Sequence, residues 1–272
     1  MADLSSSNRN SRGDWRPEAP IALAPINVWP LHISNITKWF FGFPGFLWPY
    51  NAFWLAVTIS TWSYLTPELT TMANLELWWI GIILARNAAL ILILFGGLHL
   101  YLYVFKRQGE AHQFTTRPFA TNNRKFLFKD QVADNMARTL LSAVPIITGY
   151  EVLTYWAFAN GFLGFFDLGS SQLIFWAWFL ILLILAPVIH AVHFYLGHRL
   201  LHTKLLYKKV HALHHHNVEI GPWSGLAMHP VEHIIYLSTL AVQWVLAAHP
   251  VNVLFQLQLA AFYPALAHCG FE

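Results

Sequence analysis

Five histidines lie close together between residues 198 and 215, directly after a long apolar run. They form two motifs, His198-Arg-Leu-Leu-His202 and His211-Ala-Leu-His214-His215. On a helix, residues four apart share a face, so each motif would direct a pair of imidazoles to one point. Imidazole is the commonest protein ligand for zinc, iron and copper. The spacing therefore predicts a site for two metal ions where an apolar segment ends; a loop that is merely rich in histidine would not repeat these pairs.

A third motif follows, His229-Pro-Val-Glu232-His233. It fits H-x-x-E-H, the inverted zinc-protease pattern, in which the histidines bind zinc and the glutamate is the base. A protease would not need the five preceding histidines. We therefore interpret His229 as a metal ligand or a neighbour of one, Glu232 as a carboxylate that orients an imidazole, and His233 as structural.

Three further histidines are candidates because of their position along the chain. His268 lies where the last apolar run ends, and it would complete the cluster if that run returns to the side of His198. His190 and His193 precede His198 by one to two helical turns, inside an apolar run. Histidines at such depth are functional candidates, so these two are predicted either to line a substrate cavity or to be buried, hydrogen-bonded structural groups.

The composition indicates a membrane protein. Of 272 residues, 56% are hydrophobic and 11% are charged, whereas soluble domains carry about a quarter charged residues. The net charge of +3 is not gathered into a basic stripe, so no nucleic-acid partner is expected. The single cysteine, Cys269, excludes an internal disulfide framework and a cysteine-based metal site.

Six apolar segments are predicted to be helices. They cover about residues 46–65, 77–104, 140–163, 173–196, 233–247 and 251–267. The first four are long enough to span a bilayer, and the last two are predicted to form a re-entrant or short helical hairpin. The expected fold is an all-α polytopic membrane protein with about four transmembrane helices and this C-terminal hairpin.

Basic residues predict the orientation of these spans. Lysine and arginine cluster before the first span, between the second and third, and after the fourth, whereas loops 66–76 and 164–172 contain none. The positive-inside rule then places the histidine site on the cytoplasmic side. Arg86, inside the second span, is predicted to form a structural pair with Glu151 in the third. The aromatic stretch from Trp39 to Tyr50 is interpreted as an interfacial anchor.

Residues 185–272 resemble the fatty acid hydroxylase/sterol desaturase superfamily of integral membrane di-iron enzymes. The two histidine motifs, then His229-Pro-Val-Glu232, then His268-Cys-Gly270 carry this resemblance by order and spacing. It implies a non-haem centre of two iron ions, with O2 as co-substrate, that hydroxylates or desaturates a sterol or fatty acyl C–H bond in lipid biosynthesis. The implied ligands are His198, His202, His211, His214, His215, His229 and His268.

The resemblance also implies partners and a location. The chain has no flavin or nicotinamide fingerprint, so electrons are expected from an external donor such as cytochrome b5 or ferredoxin. The expected location is a bacterial inner membrane or the endoplasmic reticulum. The chain is expected to divide into a polar and interfacial segment (residues 1–45), the membrane spans with their linker (46–184) and the catalytic region (185–272). In the family a last histidine box lies a few tens of residues beyond the position of His268, so a further box is expected beyond Glu272.

Two other interpretations remain open at this point. One is a non-catalytic, metal-binding membrane scaffold, and the other is a zinc-dependent membrane hydrolase built on His229, Glu232 and His233. A transmembrane cytochrome would need pairs of histidines that face each other from different spans, and a metal transporter would have histidines and carboxylates scattered through several spans. The sequence does not distinguish sterol from acyl substrates, or hydroxylation from desaturation.

Overall fold

The computed structural model describes residues 9–17, 22–110, 112–164 and 171–272, and their regular structure is helical, without a β-strand. The predicted all-α class is confirmed. The helices are α1 Ile33–Phe41, α2 Ala52–Leu65, α3 Leu77–Val104, α4 Gln131–Arg138, α5 Val144–Ala159, α6 Gln172–Leu201, α7 Lys204–Lys209, α8 Pro230–Leu237, α9 Ala241–Val245 and α10 Pro250–Ala267. A π-helical turn joins α4 to α5, and 3₁₀ segments cover His211–His216 and Pro222–Leu226.

Among the described residues, α3 and α6 are the two helices long and apolar enough to cross a membrane. In the most apolar stretch of each, only 28% and 22% of the residues are buried inside the protein. The core helix of a soluble protein would be largely covered, so these exposed apolar faces support association with a membrane. The count of four spans and the cytoplasmic orientation stay predictions, and most of loop 164–172 lies outside the described residues.

Helix α10 forms the centre of the bundle. It is buried along most of its length and packs against α2, α5, α6 and the 3₁₀ segment Pro222–Leu226. Its Gln258 accepts a hydrogen bond from Thr58 of α2 at 2.7 Å and donates one to Thr61 at 3.1 Å. Buried amides are costly unless they are hydrogen-bonded, so these contacts fix α10 against α2. The predicted C-terminal hairpin is present, with α10 as its second arm and α8, a 3₁₀ turn and α9 as its first.

Segments that are far apart in sequence meet at one end of the bundle. The Trp15 N–H donates to the Phe114 carbonyl at 2.9 Å, and the Phe114 N–H donates to the Gly270 carbonyl at 2.9 Å. Arg117 forms an ion pair with Glu219 at 2.6 Å. Three segments therefore lie together: the N-terminal segment, the linker after α3 and the region around the histidines. This arrangement is compatible with the prediction that all three lie on the same side of the membrane.

Gly225 lies where the Pro222–Leu226 segment touches α10. A Cβ atom at this position would clash with the carbonyl group of Pro264. Overpacking of this kind costs about 1–3 kcal/mol, so we expect Gly225→Ala to lower the free energy of unfolding in detergent by that amount. The matched control is Gly149→Ala, where a Cβ would meet nothing within 4 Å and alanine favours the helix. Equal losses in both variants would contradict the close approach.

Arg86 of α3 and Glu151 of α5 form a buried ion pair, as predicted. Asn87 donates to the same carboxylate at 3.0 Å, and Arg86 donates to the Thr66 hydroxyl at 3.0 Å. These partners satisfy charges that would otherwise be expensive to bury. The pair holds α3 against α5, which is the structural role predicted for it.

Removing one partner of this pair leaves a buried charge without compensation. We therefore expect Glu151→Ala to lower the free energy of unfolding by about 3–5 kcal/mol, measured by denaturation in detergent micelles. Glu68 is exposed and forms no ion pair among the described residues, so Glu68→Ala is the control. A loss below about 1 kcal/mol for Glu151→Ala would show that the pair behaves like an exposed one.

Candidate metal centre

Four of the predicted histidines converge where α6 ends. His198 lies in the last turn of α6 and His202 caps that helix, while His211 and His215 belong to the 3₁₀ segment that returns past α7. One ring nitrogen from each of the four lies within 4.8 Å of those of the others. The short helix α7 makes this possible, because it turns the chain back so that the second motif faces the first.

The ring nitrogens approach each other closely within each motif. The Nε2 atoms of His198 and His202 are 3.1 Å apart, and those of His211 and His215 are 3.0 Å apart. Between the motifs, the ring centroids of His198 and His211 are 4.7 Å apart. We refer to His198, His202, His211 and His215 as the four-histidine group; its donor atoms all point to one small volume.

The second motif is a 3₁₀ helix, whereas the spacing predicted an α-helix. Side chains three apart eclipse each other in a 3₁₀ helix, and the rings of His211 and His214 accordingly stack at 5.7 Å with 21° between their planes. His214 therefore lies beside the group, and it faces His268 at the end of α10.

His214 and His268 form a second pair with ring centroids 5.3 Å apart. Their Nδ1 atoms lie near backbone carbonyls, that of Ala227 at 3.4 Å and that of Pro264 at 3.2 Å, which leaves both Nε2 atoms free of these contacts. Burial, together with neighbouring imidazoles, lowers the pKa of His214 to about 3. Burial also lowers the pKa of His268, and a lowered pKa favours the neutral imidazole, the form that carries the lone pair that a metal needs.

Glu232 contacts the most buried ligand candidate. Its Oε1 lies 2.7 Å from His211 Nδ1, and neither side chain is exposed. A His211 Nδ1–H that donates to the carboxylate leaves the Nε2 lone pair directed into the four-histidine group. Burial raises the pKa of Glu232, and the hydrogen bond from His211 opposes that rise. The contact is the one predicted for Glu232.

His229 is not part of the four-histidine group. It lies at the N-cap of α8, where its Nδ1 accepts a hydrogen bond from the Val231 N–H at 3.2 Å. Its neighbour His233 is fully buried, with Nδ1 3.0 Å from the Ser142 hydroxyl and Nε2 3.0 Å from the Leu226 carbonyl. Both ring nitrogens of His233 are engaged, so the zinc hydrolase alternative finds no open ligand atom there.

A cavity of about 880 Å³ reaches the metal centre from inside the bundle. His198, His214, His268 and Glu232 line it at that end, and apolar side chains from α6, α8 and α10 contribute to its wall. Pockets of about 300–1,000 Å³ are typical of small-molecule sites. The cavity can therefore hold a mostly apolar molecule next to the histidines.

His190 and His193 line this cavity, and a substrate in it stays a prediction. They are also hydrogen-bonded: His190 Nε2 lies 3.4 Å from the Tyr236 hydroxyl, and His193 Nε2 lies 3.0 Å from the Ser238 hydroxyl. Each hydroxyl itself donates to a backbone carbonyl at 2.8 Å, so it accepts from the imidazole. These hydrogen bonds hold both rings in the cavity wall.

Sequence reasoning missed the aromatic residues of the cavity wall. Trp39, Phe46, Tyr50 and Trp54, predicted only as part of an interfacial region or a span, also line the cavity. Tyr263 of α10 lines it too and is 52% exposed. Aromatic side chains with one polar end suit both a membrane interface and a cavity wall, so composition alone does not separate these roles.

These features define a class: a membrane-associated helical protein with a cluster of histidines, able to hold a metal ion, at the end of an apolar cavity. Residues 183–272 match the family model described as Fatty acid hydroxylase. This match confirms the resemblance to the fatty acid hydroxylase/sterol desaturase superfamily that the histidine motifs predicted.

Three relatives illustrate the similarity. The "Fatty acid hydroxylase domain-containing protein 2" of Homo sapiens is 36% identical over 98 residues, which are 35% of this chain and 29% of that protein. The "Methylsterol monooxygenase 2-1" of Arabidopsis thaliana is 27% identical over 189 residues, 65% of each chain. A "Delta(7)-sterol 5(6)-desaturase" of Gibberella zeae is 31% identical over 153 residues, 54% of this chain and 40% of the relative.

The match covers less than two thirds of the length of each of these relatives. No solved structure matches the chain.

Proposed function

We propose that this protein is a membrane-bound oxidoreductase that uses O2 to hydroxylate or desaturate a C–H bond of a sterol or fatty acyl lipid. The observation that carries the proposal is the meeting of the four-histidine group and the His214–His268 pair with the apolar cavity. Relatives named as a methylsterol monooxygenase and a sterol desaturase support a lipid substrate.

The residues present fit a pair of iron ions. An all-imidazole donor set suits iron, zinc or copper and does not suit magnesium or calcium. The four-histidine group would hold one ion, and His214 and His268 would contribute to the second, with His229 as a further predicted ligand. The buried Glu232 Oε2 has no hydrogen-bond partner among the described residues, so this carboxylate can compensate positive charge at the site.

Bound iron would supply the activation of O2 for attack on an unactivated C–H bond. In hydroxylation, one oxygen atom enters the C–H bond and the other is reduced to water by two electrons and two protons. In desaturation, the same electrons and protons together with two substrate hydrogens reduce both oxygen atoms to water. We expect the electrons from a separate donor of the cytochrome b5 or ferredoxin type.

The chain itself would bind and orient the lipid. The apolar wall would hold the apolar part of the lipid, and the rings of His190 and His193, held by Tyr236 and Ser238, offer polar contacts in that wall. Glu232 keeps the proton of His211 on Nδ1. No catalytic residue outside the metal centre is proposed.

Metal analysis of the purified protein, combined with lipid analysis, tests this proposal. Cells that express the chain are grown under isotopically labelled O2, and their lipids are compared by mass spectrometry with those of cells that lack it. Iron in the protein with a labelled hydroxyl or a new double bond is the expected result. Bound zinc without an O2-dependent product would contradict the proposal and favour the non-catalytic, metal-binding membrane scaffold. Such a scaffold would not need the cavity.

A further inference from the structure

The metal centre has two sides. His198, His214 and His268 line the cavity, whereas His202 and His215 do not and are exposed at the outer surface. The lipid would therefore meet the centre from the cavity side. The outer side remains open to a molecule in the surrounding water.

A basic surface borders these exposed histidines. It consists of Arg199 at the end of α6 and Lys204, Lys208 and Lys209 of α7, all exposed. None of the four forms an ion pair within the part of the chain that the structure describes. The sequence has no aspartate or glutamate between residues 168 and 218, so no carboxylate close by in the sequence offsets the charge of this surface.

Tyr207 of α7 connects the basic surface to the metal centre. Its ring centroid lies 5.5 Å from that of His202 and 5.7 Å from that of His215, and the residue is 39% exposed. Lys204 lies three residues before Tyr207 and four before Lys208, so it shares a helix face with each of them. A molecule that contacts Tyr207 is separated from two ligand candidates by one aromatic ring.

We propose that α7 and Arg199 are the docking surface for an acidic one-electron carrier protein that reduces the metal centre next to Tyr207. This inference rests on the proposed function, which needs two electrons per turnover. In each transfer the carrier is oxidised by one electron and the metal centre is reduced by one, so two carriers, or one carrier used twice, supply a turnover. The cavity stays free for the lipid because the carrier docks on the opposite side.

Charge favours a protein carrier of this kind. A positive surface raises the association rate with a negative partner by factors of about 10–10³ and guides its orientation. Anionic lipid headgroups are the other class of partner that lysines beside a membrane attract. The carrier is favoured because the same surface also exposes His202, His215 and Tyr207, and a lipid headgroup would have no use for these groups.

Charge reversal on α7 tests the docking surface. We compare the wild-type chain, Lys204→Glu/Lys208→Glu, and the control Arg107→Glu/Arg124→Glu, which makes the same charge change at exposed residues of the linker after α3. The probe is a reduced plant-type ferredoxin, an acidic one-electron carrier. Its binding to the protein in detergent micelles and its rate of electron transfer are measured at low and high salt, and reduction by dithionite is measured in parallel.

We expect the α7 variant to lose at least about tenfold in ferredoxin binding and in transfer rate at low salt, and much less at high salt, because screening removes the attraction. Dithionite reduction and the linker variant should match the wild type. Equal losses in both variants, or no loss in either, would overturn the docking surface. So would weaker binding of the α7 variant to phosphatidylserine vesicles with ferredoxin binding unchanged, which would identify a lipid contact.

The two proposals fail separately. The proposed function would be overturned if the wild-type protein binds no redox-active metal, or forms no lipid product with dithionite as reductant. In that case, ferredoxin binding to the same protein still decides whether the surface is a docking site. The docking surface alone would be overturned if the wild-type protein turns over normally with dithionite and ferredoxin reduces the α7 variant as it reduces the wild type.

Discussion

The double variant His202→Ala/His215→Ala is expected to lose its metal while its helices remain folded. Both side chains are exposed members of the four-histidine group, so truncation removes two donor atoms and little packing. Even the loss of groups that only orient a ligand costs about 10–100-fold in metal affinity, so the loss of two ligands should lower affinity by more than about a hundredfold. Elemental analysis of the purified protein measures the metal, and circular dichroism measures the helices.

His216→Ala is the matched control for this variant. His216 follows His215 directly and is exposed, but it does not belong to the four-histidine group. It should keep wild-type metal content. If His216→Ala loses as much metal as the double variant, metal binding depends on the number of histidines in this segment and not on the four-histidine group. If the double variant keeps its metal, the four-histidine group is not the site.

Glu232→Gln is expected to weaken metal binding by about 10–100-fold, the effect typical of a group that orients a ligand. The amide oxygen can still accept the His211 Nδ1–H, so the ring orientation is largely kept and the measured loss reports the missing negative charge. Glu232→Ala removes the acceptor as well and should lose more. Metal titration of the metal-free protein, with competition by a chelator, measures these affinities.

Glu68→Gln serves as the control for Glu232→Gln, since Glu68 is an exposed carboxylate in the loop after α2. Its metal affinity should equal that of the wild type. If Glu232→Gln also binds metal like the wild type, the carboxylate charge does not contribute, and the role of Glu232 reduces to its hydrogen bond. A loss of folding in Glu232→Gln, seen by circular dichroism, would show instead that the contact with His211 stabilises the bundle.

Much of the candidate site could be predicted from local spacing. The motifs ending in His202 and His215 could be recognised because ligands for one ion must lie within a few ångströms, and short helical spacings guarantee this whatever the remaining fold. The orienting carboxylate Glu232 was predicted by its motif, and the pair of Arg86 with Glu151 by the cost of a lone charge in an apolar span. Each of these predictions depends on the chemical properties of a few residues and not on the packing of the rest of the chain.

Other features depend on how distant segments pack. His229 looked like a ligand by motif, yet Pro230 starts α8 and the His229 ring caps that helix through the Val231 N–H. Its role as a metal ligand remains a prediction. His268 became part of the site only because α10 runs through the centre of the bundle and ends beside His214.

The sequence by itself determined the helical class, the apolar character, the histidine motifs and the resemblance to the superfamily, since all of these depend on composition and short spacings. Only the tertiary structure decided that the aromatic residues around Phe46 face the cavity, that α10 is the core helix, and that the metal centre has a cavity side and an exposed side bordered by α7. The physical reason is that an apolar or aromatic residue gains similarly from lipid, from a protein core or from a cavity wall. Which of these surrounds it is settled by the packing of segments far apart in the chain.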